Sequence, residues 1–594
     1  MKKKWLLGLL CGFAACLALG FAACNFGKTG EVVAGEDTFV MGSDGIIVKY
    51  YQRDHYPNGA KGELPTKIVI PKEIGGVKVT GIAEDVFNGY GKIKTVVIPD
   101  GVTIEKEAFY GCDNLTSVTI GNNATIGESA FASCESLTDV TIGTDAHIMA
   151  GAFERADCFT YSDCGNVRYI GAYLISAQKT LAGAFEIRNG TLGIAAEAFA
   201  ECVNLESVKL PDCVKRIEPS AFRGCTGLQG VYITDKKAWC KISFGNEDAN
   251  PLRCAKNLYI NDVLTEHLVI PSSVNSIEDF AFIDCSLKSV VFADSVTSIG
   301  ASAFAHCVNL TSVTLPNGLT RIENSVFLSC ESLTGITIPD SVTSIGENAF
   351  AHCKSLTSIN IPSNVTRIEN SAFFYCESLT SITIPNSVTS IERSAFEGAG
   401  LTSITVPNSV TEIGDRIFAE CKNLTSATLP SGLTVIADYM FSGCLELENV
   451  DIPYSVTEIG SNAFRCCYKL KNVTLSENVR YIRASAFDRC GLLSVILPDN
   501  VSIVEGYGFY NCASLFYIVL PRNRILFGDE VFEFCGMLTN VYYTGTASDW
   551  AELGDDYTSV FSGKTVYYYV QNEGNVPTNG GNYWHYVDGE PTAW

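Results

Sequence analysis

Residues 303–327 read AFAHCVNLTSVTLPNGLTRIENSVF, and the chain repeats this pattern with few changes as far as Phe396. Phenylalanine recurs every 23 residues, and cysteine and proline recur in register with it. A single period shared by three residue types indicates a solenoid of stacked coils. The repeated residues are Phe304, Phe327, Phe350, Phe373 and Phe396, with Cys307, Cys330, Cys353 and Cys376 and with Pro316, Pro339, Pro362 and Pro385.

Each coil of about 23 residues predicts two short strands and one compact corner. In the first run, Leu310, Val313 and Leu315 are separated by polar residues, as in a half-buried strand. A second short run follows the proline turn and carries Leu319 and Ile322. The apolar segment that leads to the next phenylalanine predicts a short helical or 3₁₀ corner. One coil cannot bury its own apolar edge, so stability depends on its neighbours.

The repeat resembles the leucine-rich repeats of the BspA-like class, whose coils read A-F-x-x-C-x-x-L-T-S-I-x-I-P-x-x-V-T-x-I. The anchor phenylalanine occurs 18 times from Phe87 to Phe532, so the resemblance covers most of the chain. It departs from the better-known leucine-rich pattern, because the cysteine precedes the strand here. The resemblance implies a mainly β solenoid of leucine-rich repeat type and adhesion to host matrix proteins, mucosal surfaces or other microbes.

The first 23 residues predict an export signal, with three lysines, an apolar run from Trp5 to Ala23 and a small-residue site. Phe21-Ala22-Ala23-Cys24 resembles a bacterial lipobox, which implies lipid attachment at Cys24, although Phe21 stands where an aliphatic residue is usual. An uncleaved signal anchor and plain secretion are the alternatives, because 19 apolar residues can just span a bilayer. We therefore predict a lipid-anchored protein at the extracellular face of a bacterial cell envelope.

The sequence predicts segments that differ in how closely they follow the repeat. The insertion that begins at Val231 opens VYITDKKAW, and the segment that begins at Val541 opens VYYTGTASDW, so one module occurs twice. The predicted segments are a signal peptide 1–23, a lipidated leader 24–35, an N-terminal cap 36–66, repeats 67–157, an irregular insertion 158–193, repeats 194–230, an insertion module 231–268, repeats 269–540, and a C-terminal cap with an aromatic tail 541–594.

Fifteen of the 24 cysteines lie three residues after an anchor phenylalanine. Ala156 and Ala399 occupy the same position in two coils, which indicates a small apolar packing site. A buried cysteine behaves as such a small hydrophobe. Disulfides between adjacent coils are the alternative, since the spacing of coils permits them. Four cysteines outside this column could form two pairs, Cys158 with Cys164 and Cys240 with Cys254.

The sequence contains no motif that predicts a catalytic, cofactor-binding or metal-binding site. His306 and His352 share a coil position but lie two coils apart, about 10 Å by strand spacing, which is too far to share a metal ion. No metalloprotease, nucleophile-elbow, phosphate-loop or dinucleotide motif occurs. An enzyme would need an acid and base cluster in an irregular stretch such as 158–193. Repeated acids and nearby arginines predict exposed ion pairs more simply than a glycosidase carboxylate pair: Glu323, Glu369 and Glu392 with Arg321 and Arg367.

The first strand of each coil offers a regular polar face. Alternation in LTSVTLP leaves Ser312 and Thr314 pointing outward, and adjacent coils should stack such residues into ladders. These hydroxyl groups either solvate a flat sheet or form an extended adhesive surface. The candidate binding face comprises Ser312, Thr314, Thr337, Ser358, Asn360, Ser381, Thr383, Ser403 and Thr405.

The formal net charge of −23 argues against nucleic acid and anionic membranes as partners. We predict an extracellular protein or glycan as the ligand, with membrane contact only through the N-terminal lipid or signal anchor. The alternative function is capture of a polysaccharide or peptide for nutrient uptake, which predicts a concave aromatic site near the Val231 or Val541 module.

Overall fold

The computed structural model of the chain describes residues 38–51, 66–162, 165–572, 576 and 581–594. The predicted signal peptide 1–23, the leader 24–35 with Cys24, and Cys164 lie outside the described residues, as do parts of the predicted N-terminal cap and tail. The chain divides into two units. Unit 1 comprises Met1–Glu206 and Cys213–Leu228, and unit 2 comprises Ser207–Asp212 and Gln229–Trp594.

Unit 1 is built from short strands that pair in parallel from one coil to the next. It begins with an antiparallel hairpin, Thr38–Met41 with Ile46–Tyr51, whose second strand pairs with Gly81–Ile82 of the first coil. One ladder then continues through Thr103–Ile104, Thr125–Ile126 and His147–Ile148, and the other contains Lys67–Val69, Thr95–Ile98, Ser117–Ile120 and Asp139–Ile142. The remaining strands are Glu73–Ile74, Val77–Lys78, Thr160–Tyr161, Val167–Ile170, Tyr173–Ala177, Ala182–Glu186, Gly193–Ile194 and Arg216–Ile217.

Unit 2 continues this plan with two strand positions per coil. The first position gives Gly230–Ile233, Leu258–Ile260, His267–Ile270, Ser289–Phe292, Ser312–Thr314, Gly335–Thr337, Ser358–Ile359, Ser403–Thr405, Ser426–Thr428, Asn449–Val450, Ser494–Ile496, Tyr517–Leu520, Asn540–Tyr543 and Thr565–Tyr569. Two hairpins add antiparallel strands: Val263–Leu264 pairs with Leu258–Ile260, and Tyr583–Val587 pairs with Glu590–Ala593. The strand Asn204–Lys209 has residues in both units. The second gives Ser243–Phe244, Ser276–Ile277, Ser298–Ile299, Arg321–Ile322, Ser344–Ile345, Arg367–Ile368, Ser390–Ile391, Glu412–Ile413, Val435–Ile436, Glu458–Ile459, Tyr481–Ile482, Ile503–Val504 and Leu526–Phe527.

Within the residues that the structure describes, helices are short and lie only in the two modules that the sequence singles out. The first module contains α1 (Lys236–Trp239), a 3₁₀ turn (Glu247–Ala249) and α2 (Leu252–Ala255). The second contains α3 (Ala547–Glu552) and α4 (Asp555–Ser559). Both modules place a capped helix directly after a strand: Asp235 accepts a hydrogen bond at the start of α1, and Thr546 forms a capping box at the start of α3. The two modules therefore share a local structure as well as a sequence.

A stack of phenylalanine rings forms the core of each unit. In unit 2 the anchor rings from Phe282 to Phe532 are buried or half-buried and stack nearly parallel, with neighbouring centroids 5.2–6.0 Å apart. In unit 1 the rings from Phe87 to Phe153 stack at 4.7–5.5 Å. Rings at this separation are in favourable contact, and each needs the coil on either side. The predicted leucine-rich repeat solenoid is confirmed.

The corner of each coil is a series of turns, which corrects the predicted helical or 3₁₀ corner. The backbone amides of Ser302, Phe304 and His306 donate to carbonyls of the next coil at 2.6–3.0 Å, whereas those of Ala303 and Ala305 donate within their own coil. Ser302 and His306 have φ values of +54° and +60°, and this left-handed backbone rotates alternate amides away from their own coil. No helix forms at these corners because half of its hydrogen bonds go to the neighbouring coil.

The column cysteines are buried, and their thiols are bonded across coils. Cys353 Sγ donates to the carbonyl of Phe327 at 3.2 Å, and the same contact recurs between Cys376 and Phe350. Both are free thiols, so the disulfide alternative is not realised there. Cys240 is also a free buried thiol, so the bond to Cys254 that the sequence permitted is not formed.

Candidate binding face

The nine residues of the candidate binding face are all exposed. Ser312 and Thr314 flank Val313, whose side chain is only 9% exposed and points inward. The strand register places Thr314 opposite Thr337, while Ser312 lies opposite Gly335. The face is therefore a real surface of unit 2, built by the alternation of the first strand.

The ladder of outward residues is divided at Asn360. The Asn360 side chain accepts a hydrogen bond from the Ile338 amide at 2.9 Å and donates to the Ile338 carbonyl at 3.0 Å. The side-chain amide of Asn360 thus bonds to the Ile338 backbone in place of a backbone partner from its own coil. Ser381 and Thr383 of the next coil are exposed but lie in no strand, and a separate sheet begins at Ser403–Thr405.

Each coil contains two kinds of threonine, which the sequence did not separate. Thr357 Oγ1 donates to the carbonyl of Thr334 at 3.0 Å, and Thr311 Oγ1 donates to the carbonyl of Lys288 at 2.9 Å, so these hydroxyls join adjacent coils. Within the described residues, the hydroxyls of the candidate binding face make no such bond to the protein, in contrast to the amide of Asn360. They remain available to a ligand. Threonine recurs at this position of the sequence, at Thr311, Thr334, Thr357 and Thr380, and the hydroxyls of Thr311 and Thr357 form the bond to the adjacent coil.

The face has an apolar margin that was not predicted from the sequence. On one side Val269 and Val291, which are 55% and 43% exposed, stand in register with Thr314. Ile496, which is 45% exposed, holds the same outward position four coils beyond Thr405. Exposed β-branched residues beside hydroxyls offer both apolar contact and hydrogen bonding. The signal was present as the sequences LVIP and VVFA, where valine replaces the outward threonine.

The aromatic tail covers the outward side of the last strands. Trp584 is fully buried against Tyr542, with ring centroids 5.4 Å apart, and its Nε1 donates to the Tyr543 carbonyl at 2.9 Å. Val519 is 1% exposed beneath the same cluster. The tail therefore closes the outward side at this end of unit 2, and Trp550 of the module is half-buried beside it.

The first module places an aromatic pair on the outward side of its strands. Tyr232 and Tyr259 are half-buried and stacked, with centroids 4.4 Å apart and planes 8° apart. A Cβ atom on Gly230 would lie 3.0 Å from both rings, so glycine makes room for them. Trp239 of the same module is buried and donates to the Ala281 carbonyl at 2.9 Å.

The predicted ion pairs are confirmed on the second strands. Arg321 lies 3.1 Å from Glu323, and Arg367 lies 3.2 Å from both Glu369 and Glu392, with all the arginines about half exposed. Such pairs contribute little, about 0–1 kcal/mol each. They lie at the second strands, whereas the candidate binding face is formed by the first strands.

Candidate metal ligands do not converge in the described part of the chain. No group of three or more His, Cys, Asp or Glu side chains there could hold a metal ion. His352 instead stacks on Tyr375 with centroids 5.7 Å apart, and burial lowers the pKa of its imidazole. Over the same residues, no helix has the length and apolar character needed to cross a bilayer.

Comparison with known families gives one match over most of the chain. The model of the BspA type leucine rich repeat region matches residues 65–182, 192–244, 254–379, 343–470 and 434–553, which together cover more than half of the sequence. A comparison with curated proteins found no match.

Several solved structures are similar to the chain. A leucine-rich repeat protein from Bacteroides ovatus is 20% identical, with a TM-score of 0.42 over 91% of this chain and 99% of the other. A leucine rich cell surface protein from Faecalibacterium prausnitzii is 28% identical, with a TM-score of 0.28 over 59% and 94%. A leucine-rich repeat protein from Eubacterium ventriosum is 19% identical, with a TM-score of 0.37 over 63% and 94%.

Proposed function

Because this chain belongs to the BspA-type leucine-rich repeat family, we propose that it is a cell-surface adhesion protein. Its ligand is an extracellular protein of a host matrix, a mucosal surface or another microbe. Binding uses the candidate binding face of unit 2, where many weak contacts add over a long surface. The repeat acts as a non-enzymatic scaffold for this face.

The observation that carries the proposal is the difference between the two sets of hydroxyls. Thr311 and Thr357 donate to carbonyls of the neighbouring coil, whereas Thr314 and Thr337 are exposed and donate to no described part of the protein. A hydroxyl that the fold does not use can bind a ligand without loss of stability. The flanking Val269 and Val291 add apolar area to the same surface.

The test is binding of the full chain to an array of matrix proteins, mucins and glycans. The variant Thr314→Arg/Thr337→Arg places two bulky cations on the face and should abolish saturable binding to a protein ligand. The matched control is Thr119→Arg/Thr141→Arg, because these exposed threonines hold the same coil position and pair in the same way in unit 1. Equal loss of binding in both variants, or none in either, contradicts the proposal.

We also propose that the mature chain is held at the extracellular face of the bacterial envelope by a lipid on Cys24. The support is the lipobox-like sequence before Cys24 and the membership of this family. The mass of the N-terminal peptide from membrane-extracted protein tests this. A diacylated cysteine at residue 24 is expected, and an unmodified Met1 terminus contradicts it.

Capture of a polysaccharide is a second candidate, and the tyrosine pair of the first module favours it. Stacked, half-exposed Tyr232 and Tyr259 offer a flat apolar surface of the kind that sugar rings pack against. On the same array, the variant Tyr232→Ser/Tyr259→Ser should remove glycan binding and leave protein binding intact. Glycan binding that survives this change contradicts the second candidate.

A further inference from the structure

We propose that Tyr507, Tyr510 and Phe534, together with Glu530 and Glu533, form a second binding site, which takes an arginine- or lysine-rich segment of a partner polypeptide. The site lies on the corners of two adjacent coils of unit 2. Backbone hydrogen bonds join these corners, from the Tyr507 amide to Asp529 at 2.9 Å and from the Asn511 amide to Glu533 at 2.8 Å. It is separate from the strands that form the candidate binding face.

The three rings make a continuous aromatic surface. Tyr507 and Tyr510 lie with centroids 5.3 Å apart, and Tyr510 and Phe534 lie 5.2 Å apart, each pair close to edge-on. Phe534 is 61% exposed and Tyr507 is 42% exposed, although neither is needed to fill the core. The exposed faces of such rings can hold a cation above them.

The backbone indicates that these rings are not there to stabilise the corner. Tyr507 and Phe534 have φ values of +62° and +60°, a left-handed conformation that is unfavourable for bulky side chains. Most other coils place small or polar residues at the same two positions, such as Ser325 and Ser329, with φ of +57° at both. The aromatic residues that three other coils place there are half-buried, whereas Tyr507 and Phe534 are exposed: Phe280, Tyr375 and Tyr439. A large apolar residue that is both exposed and conformationally strained gives the fold no benefit over serine, so we infer a role in binding.

The charges beside the rings select a cation. Asp529, Glu530 and Glu533 are exposed, and none of them lies in an ion pair with any described lysine, arginine or histidine. Glu530 lies close enough to Glu533 to raise the pKa of the Glu533 carboxyl. The preceding coil's Arg489 faces Asp488 at 3.8 Å instead. A second copy of this chain, with its net charge of −23, is a poor match for such a surface.

The test is fluorescence anisotropy of a labelled decaarginine peptide with the full chain at low salt. Saturable binding is expected, with loss at high salt because the carboxylates are exposed. Tyr507→Ser/Phe534→Ser, which installs the residues of another coil, should weaken binding by about tenfold. Glu530→Gln/Glu533→Gln keeps the side-chain volumes and should weaken binding to a similar extent. Decaglutamate should not bind.

The control is Glu323→Gln/Glu369→Gln, which changes the net charge by the same two units at acids that are already paired with arginines. It should change the affinity less than about twofold, since paired surface charges contribute little. Equal weakening by both glutamine variants would mean bulk charge attraction and overturns the proposal. Unchanged affinity in the serine variant overturns it as well, provided that circular dichroism shows a folded chain; if that variant unfolds, the isosteric glutamine variant decides.

Discussion

In most coils, the cysteine that follows the anchor phenylalanine is a hydrogen-bond donor as well as a small apolar side chain. Its thiol reaches the phenylalanine carbonyl of the preceding coil, as Cys421 does to Phe396 at 3.1 Å. Burial raises the pKa of Cys285, Cys353 and Cys421 to about 12 in each case. The thiolate is the reactive form, so these column thiols are inert at neutral pH. Sequence reasoning identified the packing role because alanine substitutes there, but alanine gives no sign of the hydrogen bond.

We expect the chain to lose stability as the pH rises above about 9. Below the ordinary cysteine pKa of about 8.5, the folded and unfolded chains both hold the proton, so these thiols add no pH dependence. Between that value and about 12, the unfolded chain ionises Cys353 while the folded chain does not, so each such thiol costs about 1.4 kcal/mol per pH unit.

The measurement is the unfolding midpoint in urea from pH 7 to pH 10.5 with a reductant present. Cys353→Ala removes one of these thiols and should make the decline shallower. A midpoint that stays constant up to pH 10.5 contradicts the expected loss.

At the scale of the coil, the strands could be predicted from the sequence and the corners could not. Strands follow from alternation, since the positions of Val313 and Leu315 must face the core in every copy. The corner is set by left-handed residues such as Ser302 and Asn348, with φ of +54° at both, and hydrophobic patterning carries no information about φ. The available signal was the recurrence of serine, asparagine and glycine two residues before or after the phenylalanine.

We expect Phe350→Ala to destabilise unit 2 by about 3–5 kcal/mol, because a fully buried ring is removed from the middle of the stack. Its centroid lies 5.6 Å from that of Phe327 and 5.7 Å from that of Phe373, so both neighbours lose a contact. Urea unfolding measures the change. Val308→Ala is the control, because Val308 is 46% exposed and its loss should cost less than about 0.5 kcal/mol. Similar losses in the two variants would argue against the stack as the source of stability.

The coil that begins at Phe396 has one residue fewer than most others of unit 2 and contains a glycine close to the coil before it. A Cβ atom at Gly400 would lie 2.1 Å from the Glu377 carbonyl oxygen, so Gly400→Ala must move the backbone. We expect a loss of about 1–3 kcal/mol in the free energy of unfolding. Gly432→Ala is the matched control, since nothing lies within 4 Å of that position, and it should be neutral or slightly stabilising. A neutral Gly400→Ala would show that the shorter coil can relax.

At the scale of the molecule, the sequence predicted the position of the polar face but not its limits. Alternation placed Ser312 and Thr314 outward, and both are exposed. The division at Asn360 depends on a side-chain amide that bonds to a neighbouring coil, and the cover at the far end depends on Trp584 from the tail. Both contacts join residues from different coils or from the tail, so the limits of the face cannot be predicted from a single copy of the repeat.

We expect Trp584→Ala to open the outward side of the last coils. Trp584 is fully buried and Trp594 is 42% exposed, yet each indole donates to a carbonyl, at 2.9 Å and 3.0 Å. Trp584→Ala should cost about 3–5 kcal/mol and Trp594→Ala less than half as much. Hydrogen exchange of Thr565–Tyr569 and Tyr583–Val587 reports the local loss, which should not spread to distant coils. Faster exchange throughout unit 2 contradicts this local effect.

During biosynthesis, docking of the coils competes with oxidation of the column cysteines. Export, as proposed above, would bring the chain into an oxidising environment while its coils are still unformed, and in that interval any two of its cysteines could become linked by chance. Each coil that docks buries one more thiol, and the buried thiol is then protected from oxidation. A coil docks most readily onto a neighbour that is already folded. Cysteines far from the first docked coil are therefore exposed to oxidation for the longest time. Recombinant material secreted without a reductant should accordingly contain scrambled oligomers, while the same chain folded in a reducing compartment should remain monomeric and keep its thiols.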